Sequence, residues 1–292
     1  MASPGITHGD GESHPIPARR FTAGFSETTP RHWCGGDAFL THFLNAYTLL
    51  VPGNEGYYIR TLKLRMPRIS DPAMRVMVAQ FLLQEGQHGA GHHRCWRMLE
   101  AQGYRISGFQ KPVDYFLYRI LEPITPLPLR IAMVSCVEHV NAYMAHEFLG
   151  QRLLRDATPE LQALFEWHFA EEIEHKHVVF DVLNTLPAPY ALRLTGAVLV
   201  LPLFYLLMGA GALRLLHQDR ALWKRDTWSG LRQHLFSRDH MFRRTLRHVF
   251  DYLRPGFHPW QTDDSALARE AIERHSLPEH PSLQPLPQSQ AA

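Results

Sequence analysis

The stretch FAEEIEHKHVVFDV, residues 169 to 182, holds two overlapping Glu-x-x-His pairs, Glu172 with His175 and Glu174 with His177. On a helix such a pair sets a carboxylate and an imidazole one turn apart, the arrangement with which helical bundles grip paired metal ions. The two pairs cannot share a face. At about 100° per residue, Leu161, Leu164, Phe165, Val179, Val182, Leu183 and Leu186 form an apolar stripe centred on Glu172 and His175. Glu166, Asp181 and Asn184 fall on the opposite side, with Glu174 and His177. The pattern predicts Glu172 and His175 inward and the other pair in solvent. A carboxylate inside an apolar stripe is costly without compensation, either a hydrogen bond from the neighbouring imidazole or a metal ion. For one isolated pair the hydrogen bond is the commoner answer.

The pair is not isolated. FLLQEGQHGAGHHR carries Glu85 and His88, again three apart, and the surrounding apolar residues correspond at an offset of 87. Met74, Met77 and Val78 stand where Leu161, Leu164 and Phe165 stand; Cys95, Trp96 and Leu99 match Val182, Leu183 and Leu186. Asp71-Pro72 and Thr158-Pro159 open both segments as N-cap plus proline at the first helical position. The repeat is weak in sequence but places two Glu-x-x-His pairs at one depth of one stripe.

A dinuclear bundle site also needs one Glu from each of two further helices. Glu55 in VPGNEGYYIR shares its face with Tyr58, Ile59 and Leu62. Glu138 in IAMVSCVEHVNAYMAHEFL shares its face with Ile131, Val134, Ala142, Ala145 and Leu149. The ligand set expected is therefore Glu55, Glu85, His88, Glu138, Glu172 and His175. Glu55, Glu85 and His88 are assigned to one ion, and Glu138, Glu172 and His175 to the other, with some carboxylates bridging. Four carboxylates and two imidazoles suit two iron ions, with manganese or zinc as alternatives. His92, His168 and Asn141 each lie one turn from a ligand on the same stripe. They are read as hydrogen-bonding support, with ligation by either His as the second reading. His93, His139 and His177 look peripheral.

Positioning these residues requires helices, and the chain between its ends reads as all-α. Proline clusters near 67–72, 122–128, 157–160 and 186–189 divide it into helices near 37–66 (with a break considered at Pro52-Gly53), 72–101, 127–150, 159–186 and 189–217, then shorter ones near 221–236 and 239–252. The expected organisation is a flexible arm over 1–30, a metal-binding bundle over 31–188, an apolar helix with a basic helical extension over 189–255, and a mostly disordered tail over 256–292.

The stretches VPGNEGYYIR, FLLQEGQHGAGHHR, CVEHVNAY and WHFAEEIEHKHVVFDV, with the spacer RISDPAMR, resemble the bacterial family described as predicted metal-dependent hydrolases, a ferritin-like group. They cover about residues 45 to 185. The resemblance implies a ferritin-like four-helix bundle with extra C-terminal helices. One departure is Asn54, which stands between Gly53 and Glu55 where the family pattern sets Gly directly before the Glu. The family name suggests hydrolysis. The apolar surroundings of Met, Phe, Leu and Trp lean instead towards di-iron oxygen activation, meaning hydroxylation, desaturation or N-oxidation of a hydrophobic small molecule. Hydrolysis is the alternative, and metal storage or sensing a third reading. The chain has no His-Glu-x-x-His, no Gly-x-Ser-x-Gly and no P-loop.

Composition bounds the rest. A net charge of +2 over 292 residues gives no polyanion-binding signal, and with no recognisable motif a nucleic-acid partner is not expected. Cys34, Cys95 and Cys136 are far apart and read as reduced thiols. No secretory signal pattern is visible, so a cytoplasmic setting is expected. Residues 194–213, LTGAVLVLPLFYLLMGAGAL, are twenty uncharged residues, long enough to span a bilayer. Nine Lys/Arg against four Asp follow between 217 and 255. The segment is either a buried fifth helix or a point of contact with the inner face of the membrane, at its surface or through it. Homodimerisation is left open.

Overall fold

The computed structural model describes residues 16–22, 24–25, 28–237 and 240–275. Among them the regular structure is helical. Helix α1 (Ala38–Arg65) begins where the Asp37 carboxylate accepts the Leu40 N–H at 2.8 Å. It runs unbroken through Pro52. Proline has no N–H to give the carbonyl four residues back; that carbonyl, on Thr48, instead accepts the Trp96 indole N–H at 2.8 Å. Helix α2 (Pro72–Ala101) starts at Asp71, whose side chain accepts the Ala73 N–H at 2.9 Å. Helix α3 (Ser107–Asp114) continues through a π-helical stretch, Tyr115–Leu121, into the short α4 (Glu122–Ile124). This helical segment was not anticipated. Helix α5 (Leu127–Gly150) follows, then α6 (Pro159–His175) and α7 (Val178–Asn184). The single helix expected over 159–186 is thus interrupted at Lys176-His177. There the Lys176 ammonium is drawn sideways to the Thr262 carbonyl at 2.7 Å and the Asp264 carboxylate at 2.5 Å.

Helices α1, α2, α5 and α6 enclose the centre of the molecule. Helix α8 (Pro189–Gln218) lies against α1 and α5. Its Gly196 sits where a Cβ would come within 2.8 Å of the Ala132 backbone, so the two helices cross at a distance only glycine allows. Then come α9 (Arg225–Arg232) with a π-helical extension, Gln233–Ser237, α10 (Met241–Leu253) and α11 (Ser265–Arg274), which packs on α6 and α5. The core is rich in large rings: Trp33 stacks on Phe165 at 5.5 Å, and Phe148 and Phe169 pack at 5.3 Å. All three cysteines are buried and free.

Two boundary expectations need correction. The segment read as a flexible arm is folded over at least residues 16–21: Ile16, Ala18, Arg19 and Phe21 are buried, and Phe21 stacks on Trp167 at 5.4 Å. Its few apolar residues suffice because they join the core of the bundle rather than building one of their own. The C-terminal segment beyond 256 is also structured as far as His275, because α11 covers the outer face of α6. Residues 1–15 and 276–292 lie outside the described residues.

Candidate metal centre

Each of the four central helices turns carboxylates inward: Glu55 from α1, Glu85 from α2, Glu138 from α5, Glu172 from α6. None is more than 2% exposed, and His88, His168 and His175 are wholly buried among them. Their donor atoms converge in two groups. Glu55, His88, His168 and Glu172 form one; Glu85, Glu138, Glu172 and His175 form the other. Glu172 belongs to both. Its Oε1 lies 2.9 Å from His168 Nε2 and its Oε2 lies 3.0 Å from His175 Nε2, so one carboxylate faces two positions.

The six residues expected as ligands are brought together, but not in the pairing expected. Glu85 was assigned with His88, yet its Oε1 is 3.3 Å from His175 Nε2 and 3.8 Å from His88 Nδ1. Glu85 therefore crosses to the group completed by Glu138, and its place in the first group is taken by His168. Of the residues expected as support, His92 lies 3.1 Å from His168, and Asn141 reaches Glu138 and Glu172 at 3.4 Å each while accepting the Tyr47 hydroxyl at 3.1 Å. The Glu55 approach depends on Gly89, where a Cβ would sit 3.2 Å from the carboxylate.

The hydrogen bonds fix how each imidazole is presented. The Gln84 amide nitrogen donates to the Pro17 carbonyl at 3.1 Å and to Glu174 at 3.0 Å, so its oxygen is left to accept. That oxygen takes the His175 Nδ1–H at 2.9 Å, turning Nε2 towards Glu85, Glu138 and Glu172. On the other side, Glu171 accepts the His88 Nε2–H at 3.0 Å, and Nδ1 faces Glu55 at 3.5 Å. Arg19 ties the two supports together, donating to Glu171 at 3.1 Å and to Glu174 at 2.8 and 2.9 Å. Sequence reasoning missed Arg19, Gln84 and Glu171. A signal for two of them existed: Gln84 and Glu171 each precede the Glu of a Glu-x-x-His pair, at the same offset of 87.

The outer face of α6 corrects the solvent expectation. Glu166 is 3% exposed and His177 7%. Glu166 accepts from Arg274 at 2.5 Å and pairs with His275 at 2.9 Å, and the His177 ring lies 4.7 Å from Trp260. Glu174, also expected in solvent, is instead held by Arg19 and by Gln84 of α2, with 20% of its side chain exposed, while Asn184 is exposed as expected; a second layer covers Glu166 and His177.

Electrostatics and unsatisfied atoms test whether cations fit. Among the described residues, both oxygens of Glu55 and of Glu85, Glu138 Oε2 and His88 Nδ1 have no hydrogen-bond partner. Buried polar atoms are nearly always paired, and so many unpaired Lewis bases turned into two convergent groups are what coordination requires. Burial pushes Glu55 and Glu85 well above the carboxylate range, and their acidic neighbours add to it. Burial and Glu172 together raise Glu138 to about 7. Glu172 goes the other way: against its burial, His175 and His168 hold it low. Burial lowers His88 to about 3, leaving it neutral and able to ligate. Four carboxylates in so small a volume ionise together only opposite positive charge, and two divalent ions match them. The residues present fit such ions.

An apolar pocket lies between α1, α5 and α8, with Tyr58 among its lining residues. Leu50, Tyr57 and Tyr58 of α1, Val134 and Val137 of α5, Leu117 and Leu121, and Val200, Leu203 and Phe204 of α8 wall it. Tyr58 lies one turn past Glu55. Its hydroxyl is buried without a hydrogen-bond partner, and burial, with Glu138, Glu85 and Glu172 nearby, keeps it protonated.

A helical bundle with a buried, Glu- and His-rich cation site defines an all-α metal-dependent protein. The chain belongs to the family described as "Predicted metal-dependent hydrolase", whose model matches residues 17–263. Neither a curated protein nor a solved structure matches it. The family description places metal-dependent hydrolysis ahead of the oxidation that the apolar surroundings suggested.

Proposed function

We propose that the protein is a metal-dependent hydrolase with a dinuclear centre in a ferritin-like bundle, ligated by Glu55, Glu85, His88, His168, Glu138, Glu172 and His175. The observation that carries this reading is the sharing of Glu172 by two convergent donor groups. Bound divalent ions would supply the Lewis acidity that polarises an acyl oxygen and activates water. The chain's own residues do the rest. Glu171 and Gln84 hold the two imidazoles in the tautomers that ligation needs. The pocket takes an apolar group of the substrate, and its walls exclude bulk water. The Tyr58 hydroxyl, protonated and unpaired at the inner wall, is the donor left over for a substrate oxygen. An apolar ester or amide suits this pocket better than a phosphate, because Leu, Val, Tyr and Phe predominate among its lining residues and none of them is cationic.

The test is metal analysis joined to turnover. Protein carrying two zinc or manganese ions per chain that cleaves short apolar esters, with activity lost in Glu172→Ala and reduced in Tyr58→Phe, supports hydrolysis. A second reading, oxygen-dependent oxidation, is favoured by the aromatic enclosure, in which Phe81 meets His175 at 4.8 Å and Trp167 meets His88 at 5.0 Å. Two irons per chain with oxygen uptake after reduction would replace the first reading with this one. Stable metal uptake without turnover would leave storage.

A further inference from the structure

Helix α8 is apolar on both sides, yet among the described residues only one side is covered. Its inner residues Ala197, Phe204 and Met208 pack on the bundle, and 39% of its apolar stretch is buried. The outer side presents Val198 (71% exposed), Leu199, Leu206 (68% exposed) and Leu213 to solvent, with no charged residue between Arg193 and Arg214. A soluble helix carries polar residues on such a face. The apolar surface continues onto α10. Across a groove walled by Pro202, Tyr205 and Val249, Phe242, Leu246 and Phe250 recur every fourth residue, 40–65% exposed. Arg243 and Arg247 project from the same helix beside them, both exposed, Arg247 with 83% of its side chain in solvent and its Nε 4.0 Å from the Asp251 carboxylate. An exposed apolar ridge edged by arginines is the composition of an interfacial membrane helix.

We propose that the protein docks on anionic phospholipid bilayers as a surface-bound protein, through the outer face of α8 and the exposed edge of α10. Helix α8 has the length and hydropathy to cross a membrane, but its inner side is committed to α1 and α5, so it lies along the surface. The arginines complement lipid phosphate, which a second copy of the same basic face would not. The inference is independent of the reaction at the metal centre.

The experiment is co-sedimentation of the full chain with vesicles of phosphatidylcholine alone and with added phosphatidylglycerol. Binding is expected to the anionic vesicles, weakened by salt and released by alkaline carbonate. Phe242→Ser/Phe250→Ser/Leu206→Ser is expected to abolish it with an unchanged circular dichroism spectrum. Arg243→Ala and Arg247→Ala are each expected to weaken it roughly fivefold. Failure of the chain to sediment with either vesicle, together with a dimer that the triple variant dissociates, would overturn the proposal in favour of self-association. Retention in the membrane after carbonate would overturn it in favour of a spanning α8.

Discussion

The two halves of the metal centre come from similar segments and end up unlike. Helices α2 and α6 share N-terminal signals, an apolar stripe and a Glu-x-x-His at an offset of 87. Yet the group around His88 has two imidazoles and the group around His175 has one with three carboxylates. One difference within the repeat supplies the extra imidazole, the crossing of Glu85 supplies the extra carboxylate, and a second difference changes the supports. His168 in α6 stands where α2 has Phe81, and Glu171 stands where α2 has Gln84. A nitrogen-rich and an oxygen-rich position differ in the metals they favour. The supports also differ: His88 leans on a carboxylate, His175 on a neutral amide. A repeat therefore fixes where ligands lie without making the two positions equivalent.

The largest effect expected is from the one residue the halves share. Glu172→Ala should strip metal from both positions, whereas Glu55→Ala and Glu138→Ala should each empty one. Elemental analysis of purified protein checks this, and a Glu172→Ala protein that kept one full equivalent would separate the halves. Next comes Arg19, which joins the two supports. Arg19→Ala leaves Glu171 and Glu174 side by side with no cation, and should cost about 3–5 kcal/mol in denaturant unfolding, the scale for breaking a buried ion pair. A smaller loss would mean that the two supports stand separately.

Glu171→Gln makes the halves alike by giving each imidazole an amide partner. Metal affinity at the His88 position should fall about 10–100-fold with the His175 position unchanged, measured by chelator competition. Equal loss at both positions would show that the supports act through Arg19 rather than locally. The smallest effect concerns the layer over α6: Glu166 on α6 corresponds to Ala79 on α2, which offers no carboxylate to such a layer. Burial opposes ionisation of Glu166, but His275, Gln162 and Arg274 hold it below the ordinary range. A carboxyl lowered in the folded state stabilises fully above its unfolded value of about 4.3 and loses that contribution as pH falls through its folded value. Amide exchange in α11 should therefore accelerate as pH falls below about 4, after correction for the intrinsic rate, and Glu166→Gln should flatten that dependence.

Much of this was legible in the sequence. Helix boundaries at 72–101 and 127–150 follow from Asp71-Pro72 and from Pro126 and Pro128, because caps and prolines act locally. The inward turn of Glu55, Glu85, Glu138 and Glu172 follows from periodicity alone. What was not legible is what depends on how the helices meet. Which donor group Glu85 joins is set by the packing of the helices, which no wheel contains. Arg19 lies in a segment without periodicity and is recognisable only by its partners, 152 and 155 residues away. Glu166 and His177 looked solvated because a helix wheel has no second layer.

The crossed supports also have a consequence for assembly. His175 is oriented by Gln84, 91 residues before it, and His88 by Glu171, 83 residues after it. Neither helix can orient its own imidazole. A chain synthesised only through α2 has His88 without its brace, and no part of the centre is complete until α6 has docked. Metal uptake should thus trail the slowest long-range step of folding, and once in place the ions should lock the two repeats together, stabilising the whole bundle in proportion to their free concentration.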